Sequence, residues 1–288
     1  MKLGVSTYSL HSAIRKNEMT VLDVIQWIAD NGGEHVEIVP IGFNLVEQPE
    51  LIDAIRGKAK EAGVDISNYA IGANFLQKDE DAYEAEIARV KSEVEVARAL
   101  GVSLMRHDAA SRPIAETGIE QFERDLPQIA DACRSIADYA SQYGIVTSVE
   151  NHGYFVQASD RVQRLVKTVD RPNYKTTIDV GNFMCADENS VVAVTKNIPY
   201  ASMVHLKDFY LRPADRNPGD GWFPTAGGNY LRGAIVGQGD IDMRGVISAV
   251  KHSGYDGYIS IEFEGLEDCR FGTKVGLDNA RRMWDEVQ

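Results

Sequence analysis

The stretch ALGVSLMRH at residues 99–107 shows the pattern that decides the fold: a helix end, a glycine and an apolar strand. Glycine just past a helix end adopts the left-handed conformation at little cost, so the pattern predicts a helix-to-strand joint. The same joint recurs at Asn31-Gly32-Gly33, Ala62-Gly63-Val64, Tyr143-Gly144-Ile145 and Ser253-Gly254-Tyr255. This repetition indicates strands that alternate with helices along the chain.

The segments on either side of the joints support this interpretation. Apolar residues over 21–28 recur with the spacing of one helix face, and Thr20 with Asp23 three residues later predicts the helix cap. Eight short apolar segments are predicted strands: 2–7, 34–39, 65–71, 102–107, 145–150, 174–179, 202–207 and 257–262. Eight strand–helix units predict a closed (β/α)8 TIM barrel, as a single domain over residues 1–288. The rival, an open doubly wound sheet, usually has a Gly-rich phosphate turn after its first strand, and TYSLHSAIRK (7–16) has none.

Composition limits the possible partners. The chain of 288 residues has 43 acidic and 30 basic side chains and a net charge of −13, so a nucleic-acid partner is not expected. No segment approaches the roughly 20 apolar residues of a membrane span, and the first residues do not resemble a signal peptide, so we expect no membrane partner. Three cysteines without a C-x-x-C motif (Cys133, Cys185 and Cys269) suit free thiols in a reducing cytoplasm.

Polar residues stand at the ends of the last four predicted strands. They are Glu150 in IVTSVE, Asp179 in YKTTID, His205 in SMVHLK and Glu262 in YISIE. In a TIM barrel these ends converge on one mouth, where carboxylates repel unless a cation lies between them. Three oxygen ligands and one nitrogen suit one divalent ion, with Mn²⁺ preferred and Mg²⁺, Co²⁺ or Zn²⁺ as alternatives. A helix cap or a supporting hydrogen bond is the alternative role for any single member of this set.

Several motifs resemble the xylose-isomerase-like TIM barrels of the sugar phosphate isomerase/epimerase group. They are SVENHG (148–153), TIDVGN (177–182), VHLKD (204–208), VGQGDID (236–242), GYISIEFEG (257–265) and VEI (36–38). The resemblance covers the whole chain and implies a single divalent metal held by Glu150, Asp179, His205 and Glu262. In the related ketose 3-epimerases the two metal-bound glutamates also move the proton, one on each face of the substrate carbon. That catalytic role would fall here on Glu150 and Glu262.

Two features depart from the ketose 3-epimerase pattern. Asn182 stands where those enzymes usually have histidine, and HGYFVQ (152–157) lacks their further glutamate. The first hypothesis is an isomerase or epimerase of a ketose or related polyol, which removes a proton next to a carbonyl and forms an enediolate. The alternative is a lyase on the same scaffold, either an inosose-type dehydratase or a 3-keto-glycoside deglycosidase. A non-catalytic binding barrel and a DNA-repair endonuclease fit less well, the latter because its three zinc ions need more histidines.

Further residues are predicted around the mouth. His152 is a candidate acid/base group, with a loop hydrogen bond as the alternative. Lys207, two residues beyond His205, is either a cation for a developing enolate or phosphate, or the partner of a mouth carboxylate such as Asp179. His107 and Asn182 are predicted to contact substrate.

The long segment between the last two predicted strands is predicted to cover the barrel mouth. Residues 209–235 contain several prolines and glycines together with Trp222 and Phe223, which predicts a cover that stacks on a sugar ring. Alternatively, this segment forms a contact between subunits. The protein could then be a homo-oligomer or a subunit of a complex. No Arg cluster or Gly-rich turn is evident for a phosphate, which favours an unphosphorylated sugar or polyol as the partner.

Overall fold

The structure is a computed structural model that describes residues 2–288; Met1, the first residue of the predicted domain, lies outside this range. Within it, eight parallel strands close into a barrel in the order β1-β11-β7-β6-β5-β4-β3-β2. These strands are β1 (Lys2–Ser6), β2 (His35–Ile38), β3 (Asp65–Ile71), β4 (Leu104–His107), β5 (Val146–Glu150), β6 (Tyr174–Asp179), β7 (Ala201–Leu206) and β11 (Tyr258–Ile261). The predicted TIM barrel is confirmed, with strand ends that differ by up to two residues from the predicted ones.

Helices surround the barrel and are joined to it by the predicted turns. They are α1 (His11–Arg15), α2 (Val21–Asp30), α3 (Glu50–Ala62), α4 (Glu80–Leu100), α5 (Ile119–Ser141), α6 (Ser159–Val169), α7 (Ser190–Asn197), α8 (Met243–His252) and α9 (Cys269–Glu286). Gly63 and Gly101 end α3 and α4 with φ of 72° and 79°, values that a residue with a side chain rarely adopts. Thr20 and Asp23 form the predicted cap of α2, each accepting a backbone hydrogen bond from the other.

The segment after β7 contains a small antiparallel sheet where the sequence suggested an irregular cover. Its strands are β8 (Asp208–Arg212), β9 (Phe223–Pro224) and β10 (Tyr230–Ala234), in the order β8-β10-β9. Phe209 and Leu231 of this sheet pack with Cys185, from the loop after β6, in a small apolar cluster. The sheet therefore rests on the barrel loops, whereas residues 211–221, from the end of β8 into its connection to β9, are all exposed.

The amino end of the barrel is closed by a histidine. The His35 ring lies against Gly4, where an added Cβ would be 2.1 Å from the His35 carbonyl oxygen and 2.6 Å from the ring. The ring is fully buried, and its Nε2 lies 3.0 Å from the Ile259 carbonyl oxygen. Burial lowers the pKa of His35 to about 4, although the Ile259 carbonyl and Glu37 act in the opposite direction. The folded barrel therefore contains a neutral imidazole.

This packing predicts a pH-dependent stability. In the unfolded chain the pKa of His35 returns to about 6.5, so the unfolded state binds more protons between pH 6.5 and 4. The stability from the neutral ring is complete above pH 6.5 and is lost as the pH falls toward 4. In urea titrations, we expect the free energy of unfolding to fall between pH 7 and pH 5. His35→Gln keeps a donor for Ile259 and should reduce that fall by on the order of 2 kcal/mol.

The matched control is His252→Gln, because His252 is exposed at the end of α8. This variant should lose as much stability as the wild-type protein over the same pH range. A His35→Gln protein with an unchanged pH dependence would contradict the assignment of a buried neutral ring.

Candidate active site and metal centre

The four predicted metal ligands lie together at the carboxyl end of the barrel. Glu150 ends β5, Asp179 ends β6 beside His205 of β7, and Glu262 directly follows β11. One potential ligand atom of each residue lies within 4.8 Å of the other three, and all four side chains are buried. They meet because β5, β6, β7 and β11 are successive neighbours in the barrel. The structure thus brings together residues that are up to 112 positions apart in the chain.

A buried carboxylate orients the histidine of this cluster. His205 Nε2 lies 3.0 Å from Oε1 of Glu37, which also accepts a 2.7 Å hydrogen bond from Asn68 Nδ2. With Nε2–H donating to Glu37, Nδ1 faces Oε2 of Glu262 at 3.2 Å. Burial lowers the pKa of His205, but the carboxylates of Glu37 and Glu262 outweigh this effect and raise it well above its usual value. Such a carboxylate partner fixes the ring orientation of a metal-binding histidine.

Glu150 has partners on both of its carboxylate oxygens. Arg106 Nε lies 2.7 Å from Oε2, and Asn182 Nδ2 donates to Oε1 at 3.0 Å. The backbone N–H of Asn182 also donates to Oδ1 of Asp179 at 2.9 Å. Asn182 therefore links two of the four potential ligands, and it fixes their relative positions.

Lys207 supplies positive charge from within the site. Its Nζ lies 2.9 Å from Asp179, 3.1 Å from Glu262 and 3.4 Å from Glu264. Burial lowers the pKa of Lys207, but these carboxylates outweigh burial and raise it well above the usual value. The sequence left two roles open for Lys207, and the structure shows it as the partner of carboxylates at the mouth.

The cluster retains features that suit a bound cation. Asp179 Oδ2, His205 Nδ1 and Glu262 Oε2 are buried but make no hydrogen bond of normal geometry. Burial, together with Glu262 and Glu150, raises the pKa of Asp179 to about 7, against the attraction of Lys207. Asp179 Oδ2 and Glu262 Oε2 are also the atoms that contact Lys207 Nζ, at 2.9 and 3.1 Å. Three carboxylates and an imidazole this close together could hold one divalent ion.

Glu150, His205 and Glu262 of the cluster form the floor of a cavity in the barrel mouth, with a volume of about 290 Å³. Its polar and aromatic walls include several side chains that come from different barrel loops: Tyr8, Arg106, Asp108, His152, Tyr154, Asn182, Lys207, Phe223 and Glu264. Of the predicted site residues, His152, Asn182 and Lys207 line this cavity, which is where the sequence placed them.

Two predicted substrate contacts lie elsewhere. His107 is completely buried outside the cavity, with its ring against Phe75 and Tyr174, because successive strand residues alternate between the two faces of the barrel. The neighbouring Arg106 faces the mouth in its place. Trp222 lies between the guanidinium groups of Arg212 and Arg232, outside the cavity walls. Both placements correct the sequence prediction.

Phe223 and Tyr154 bring the small sheet to the cavity. The sequence predicted that Trp222 or Phe223 lies near the substrate, and Phe223 is the one that lines the mouth. The Tyr154 hydroxyl donates a hydrogen bond to the Pro224 carbonyl at 2.7 Å. Asp187 accepts hydrogen bonds from Thr225 and from Asn229, in the turn between β9 and β10. These bonds hold the sheet as one wall of the mouth.

His152 lies at the rim beside a carboxylate. Its Nδ1 is 3.4 Å from Oδ2 of Asp108, whose other oxygen is 3.0 Å from Arg106. Burial lowers the pKa of His152, but Asp108 outweighs this effect, so the pKa is raised above the ordinary value. With 52% of its side chain exposed, His152 is accessible to a ligand in the cavity.

Sequence reasoning did not assign four residues that face or support this site: Tyr8, Glu37, Asn68 and Arg106. Glu37 had a usable signal, because VEI (36–38) places a carboxylate inside an apolar strand. Alternation of strand residues places Arg106 on the opposite face from His107, but it does not determine which of the two faces the mouth. Tyr8 and Asn68 lack a distinctive sequence pattern.

The motifs VHLKD and VGQGDID meet in space. The Asp208 carboxylate accepts hydrogen bonds from the backbone N–H groups of Gly237 and Gly239 at 2.9 and 3.0 Å. A Cβ at Gly239 would lie 2.2 Å from an oxygen of Asp208, so only glycine permits this approach. The turn thus leads the chain from the small sheet back to the barrel.

The protein is a TIM barrel with four side chains at its mouth that could hold a metal ion, and comparison with known proteins identifies the family. A family model described as "Xylose isomerase-like TIM barrel" matches residues 25–285. The chain belongs to the xylose isomerase-like TIM barrel family, which confirms the resemblance noted in the sequence.

Similar proteins include dehydratases and an epimerase. An inosose dehydratase of Lacticaseibacillus casei is 25% identical over 146 residues, which are 50% of this chain and 48% of that protein. The match thus spans about half the length of this curated relative. A probable 3-DHS dehydratase of Bacillus anthracis has a TM-score of 0.76 at 18% identity, covering 96% of this chain and 98% of that one. The D-psicose 3-epimerase of Clostridium cellulolyticum H10 has a TM-score of 0.74 at 18% identity, covering 99% of both. The two structural matches show a shared fold.

Within residues 2–288, no helix has the length and apolar character needed to cross a membrane. All three cysteines are free and buried.

The contact between Glu37 and His205 predicts an effect on metal affinity. In Glu37→Gln, the amide oxygen can still accept from Asn68, so the amide NH₂ faces His205 Nε2 and favours the ring form protonated at Nδ1. A proton on Nδ1 prevents that atom from binding a metal. We expect Mn²⁺ affinity, measured by calorimetric titration, to fall by about 10- to 100-fold.

Glu34→Gln is the matched control. Glu34 lies just before β2, at the opposite end of this strand from the mouth, and accepts a hydrogen bond from Leu3. Its substitution should leave the Mn²⁺ affinity unchanged. Equal affinities for Glu37→Gln and the wild-type protein would show that Glu37 does not orient the ligand.

Proposed function

We propose that the protein is a divalent-metal-dependent isomerase or epimerase of a ketose or related polyol. The observation that carries this proposal is the pair Glu150 and Glu262, whose potential ligand atoms lie in one buried cluster on the floor of one cavity. They come from strands three apart in the barrel, so they approach this place from different directions. Removal of a proton by one carboxylate and delivery by the other is the arrangement that epimerisation requires.

The metal ligands in this proposal are Glu150, Asp179, His205 and Glu262, and Mn²⁺ is the preferred ion, with Mg²⁺, Co²⁺ and Zn²⁺ as alternatives. A bound divalent ion would supply Lewis-acid polarisation of a carbonyl and its neighbouring hydroxyl group. The chain supplies the remaining functions. Glu150 and Glu262 take and return the proton, and Lys207 places positive charge 3.1 Å from Glu262. Arg106 and Asn182 hold Glu150 in position.

The experiment that tests this proposal is solvent exchange. The Mn²⁺-loaded protein is incubated in D₂O with a panel of ketoses, inososes and 3-keto-glycosides. We expect reversible conversion of one class, with deuterium at the reacting carbon of the product. Glu150→Gln and Glu262→Gln should each lower kcat by at least about 100-fold, because each removes a group that transfers the proton. Metal content measured on the same samples separates lost chemistry from lost metal.

The control variant is Glu267→Gln, which lies beyond the cavity walls and should exchange deuterium at the wild-type rate. Wild-type exchange rates in both cavity variants with full metal content would contradict the assigned bases.

A second candidate, a lyase, is favoured by a specific observation. His152 lies at the rim of the cavity with Asp108 at 3.4 Å, and Asp108 raises its pKa against the effect of burial, so a proton donor is available there. Loss of a hydroxyl or alkoxyl group needs such an acid. The similar inosose dehydratase and 3-DHS dehydratase have names that indicate this reaction type.

His152→Ala distinguishes the two candidates. For an isomerase or epimerase, proton transfer does not use His152, so we expect kcat to stay within about tenfold of wild type. For a lyase, release of water or an aglycone would be lost, while deuterium exchange at the carbon deprotonated by a glutamate would continue. Mass spectrometry of the products measures both quantities. His252→Ala, an exposed substitution on α8, serves as the control.

A further inference from the structure

A second cavity adjoins the mouth cavity on the side of β2 and β3. It has a volume of about 330 Å³ and lies between residues 39–44, residues 69–72 and helix α4; we call it the side groove. Both cavities are lined by the same four residues, which form their common wall: Val39, Ile41, Ala70 and Gly72. A ligand in the mouth therefore has room to extend past this wall.

Gly72 contributes no side chain to the common wall. It is exposed, and the only heavy atom within 4 Å of an added Cβ would be Oδ2 of Asp108, at 3.7 Å. Asp108 belongs to the mouth cavity, so this position faces the mouth. Because residue 72 has no side chain, nothing projects from this position of the common wall between the mouth and the side groove.

One side of the groove is mostly apolar. Val39, Pro40, Ile41 and Phe43 line it after β2, all four half-buried, and the exposed Asn44 follows them. These partly exposed apolar side chains beside the mouth cavity offer contact area to an apolar part of a ligand. A sugar ring in the mouth would place its substituent next to this surface.

The polar side chains on the other side already have partners within the protein. The Tyr69 hydroxyl donates to Glu93 at 2.7 Å. Arg89 donates to both oxygens of Glu86, at 2.8 and 2.9 Å, and to the Gly72 carbonyl at 2.7 Å. A second sugar unit in the groove would compete with these internal hydrogen bonds, whereas an apolar group would not.

We propose that the substrate has two parts, a sugar or polyol ring in the mouth and a flat apolar group, of the aryl type, in the side groove. This inference rests on the proposed function, because the reacting ring is assigned to the cavity above the four potential metal ligands. The mouth alone is at the lower limit of small-molecule sites, about 300 Å³, and the side groove extends it well into their range. Contacts with the non-reacting aryl group position the ring over the carboxylates.

The test compares phenyl glucosides with methyl glucosides, both anomers of each, by calorimetric titration of the Mg²⁺-loaded protein. The wild-type protein should bind the better phenyl anomer at least about tenfold more tightly than the matching methyl glucoside, because the ring buries apolar surface in the groove. Phe43→Ala should remove most of this preference and leave methyl glucoside affinity unchanged. Phe271→Ala, at an exposed phenylalanine outside the groove walls, should keep the full preference.

A second variant raises the common wall at residue 72 and leaves the apolar side of the groove intact. Gly72→Val needs no unusual backbone conformation, and its Cβ would make an ordinary contact with Asp108 at 3.7 Å. It should therefore fold, as circular dichroism can verify, and should abolish the phenyl preference. Absence of a phenyl preference in the wild-type protein, including absence of binding by either glucoside, would overturn the proposal. Tighter binding of cellobiose than of phenyl glucoside would also overturn it and assign the groove to a second sugar.

The two-part substrate and the proposed reaction can fail independently of each other. If the phenyl preference is present but no substrate of the panel exchanges deuterium, the groove assignment holds and the proposed reaction fails. If exchange occurs with free ketoses and no preference is found, the reaction stands and the two-part substrate is wrong.

Discussion

Repulsion among buried carboxylates at the barrel mouth is the constraint on which the rest of the site depends. Glu150, Asp179 and Glu262 meet below the protein surface, where separation from water makes their mutual repulsion costly. The protein offsets part of this charge with Lys207 and Arg106, each within 3 Å of a cluster carboxylate. Burial raises the pKa of Asp179 to about 7, and Glu262 and Glu150 act in the same direction, so the charged form of this carboxylate is costly to hold. A divalent cation among the four side chains would reduce that cost.

The supporting residues hold this charged cluster in one geometry. Asn68 donates to Glu37, and Glu37 orients His205. Asn182 donates from its side chain to the Glu150 carboxylate and from its backbone N–H to the Asp179 carboxylate. Every link in this network is a hydrogen bond to a charged group, which is stronger than one between neutral groups. The cluster therefore combines high charge with defined positions, and a site that transfers protons between fixed points needs both properties.

The loop regions give the mouth its individual shape. The small sheet supplies Phe223 to one wall, and Tyr154 and Asp187 bind it to the loops after β5 and β6. On the opposite side, the residues after β2 and β3 leave the side groove open. Because active sites of TIM barrels are built from the loops at the carboxyl ends of the strands, selectivity among substrates would reside in these loops.

The sequence by itself determined the barrel and the four-residue cluster. Repeated glycine joints and apolar segments are local signals, and the carboxyl ends of parallel barrel strands always meet at one mouth, so Glu150 and Glu262 could be placed together from strand order alone. The tertiary structure decided which neighbours face the cavity. His107 was assigned to the mouth although Arg106 occupies it, because the side-chain face of a strand depends on register and a shift of one residue reverses it. Trp222 lies outside the cavity because pairing of β8, β9 and β10 places it between two arginines, and such contacts between distant residues leave no local pattern.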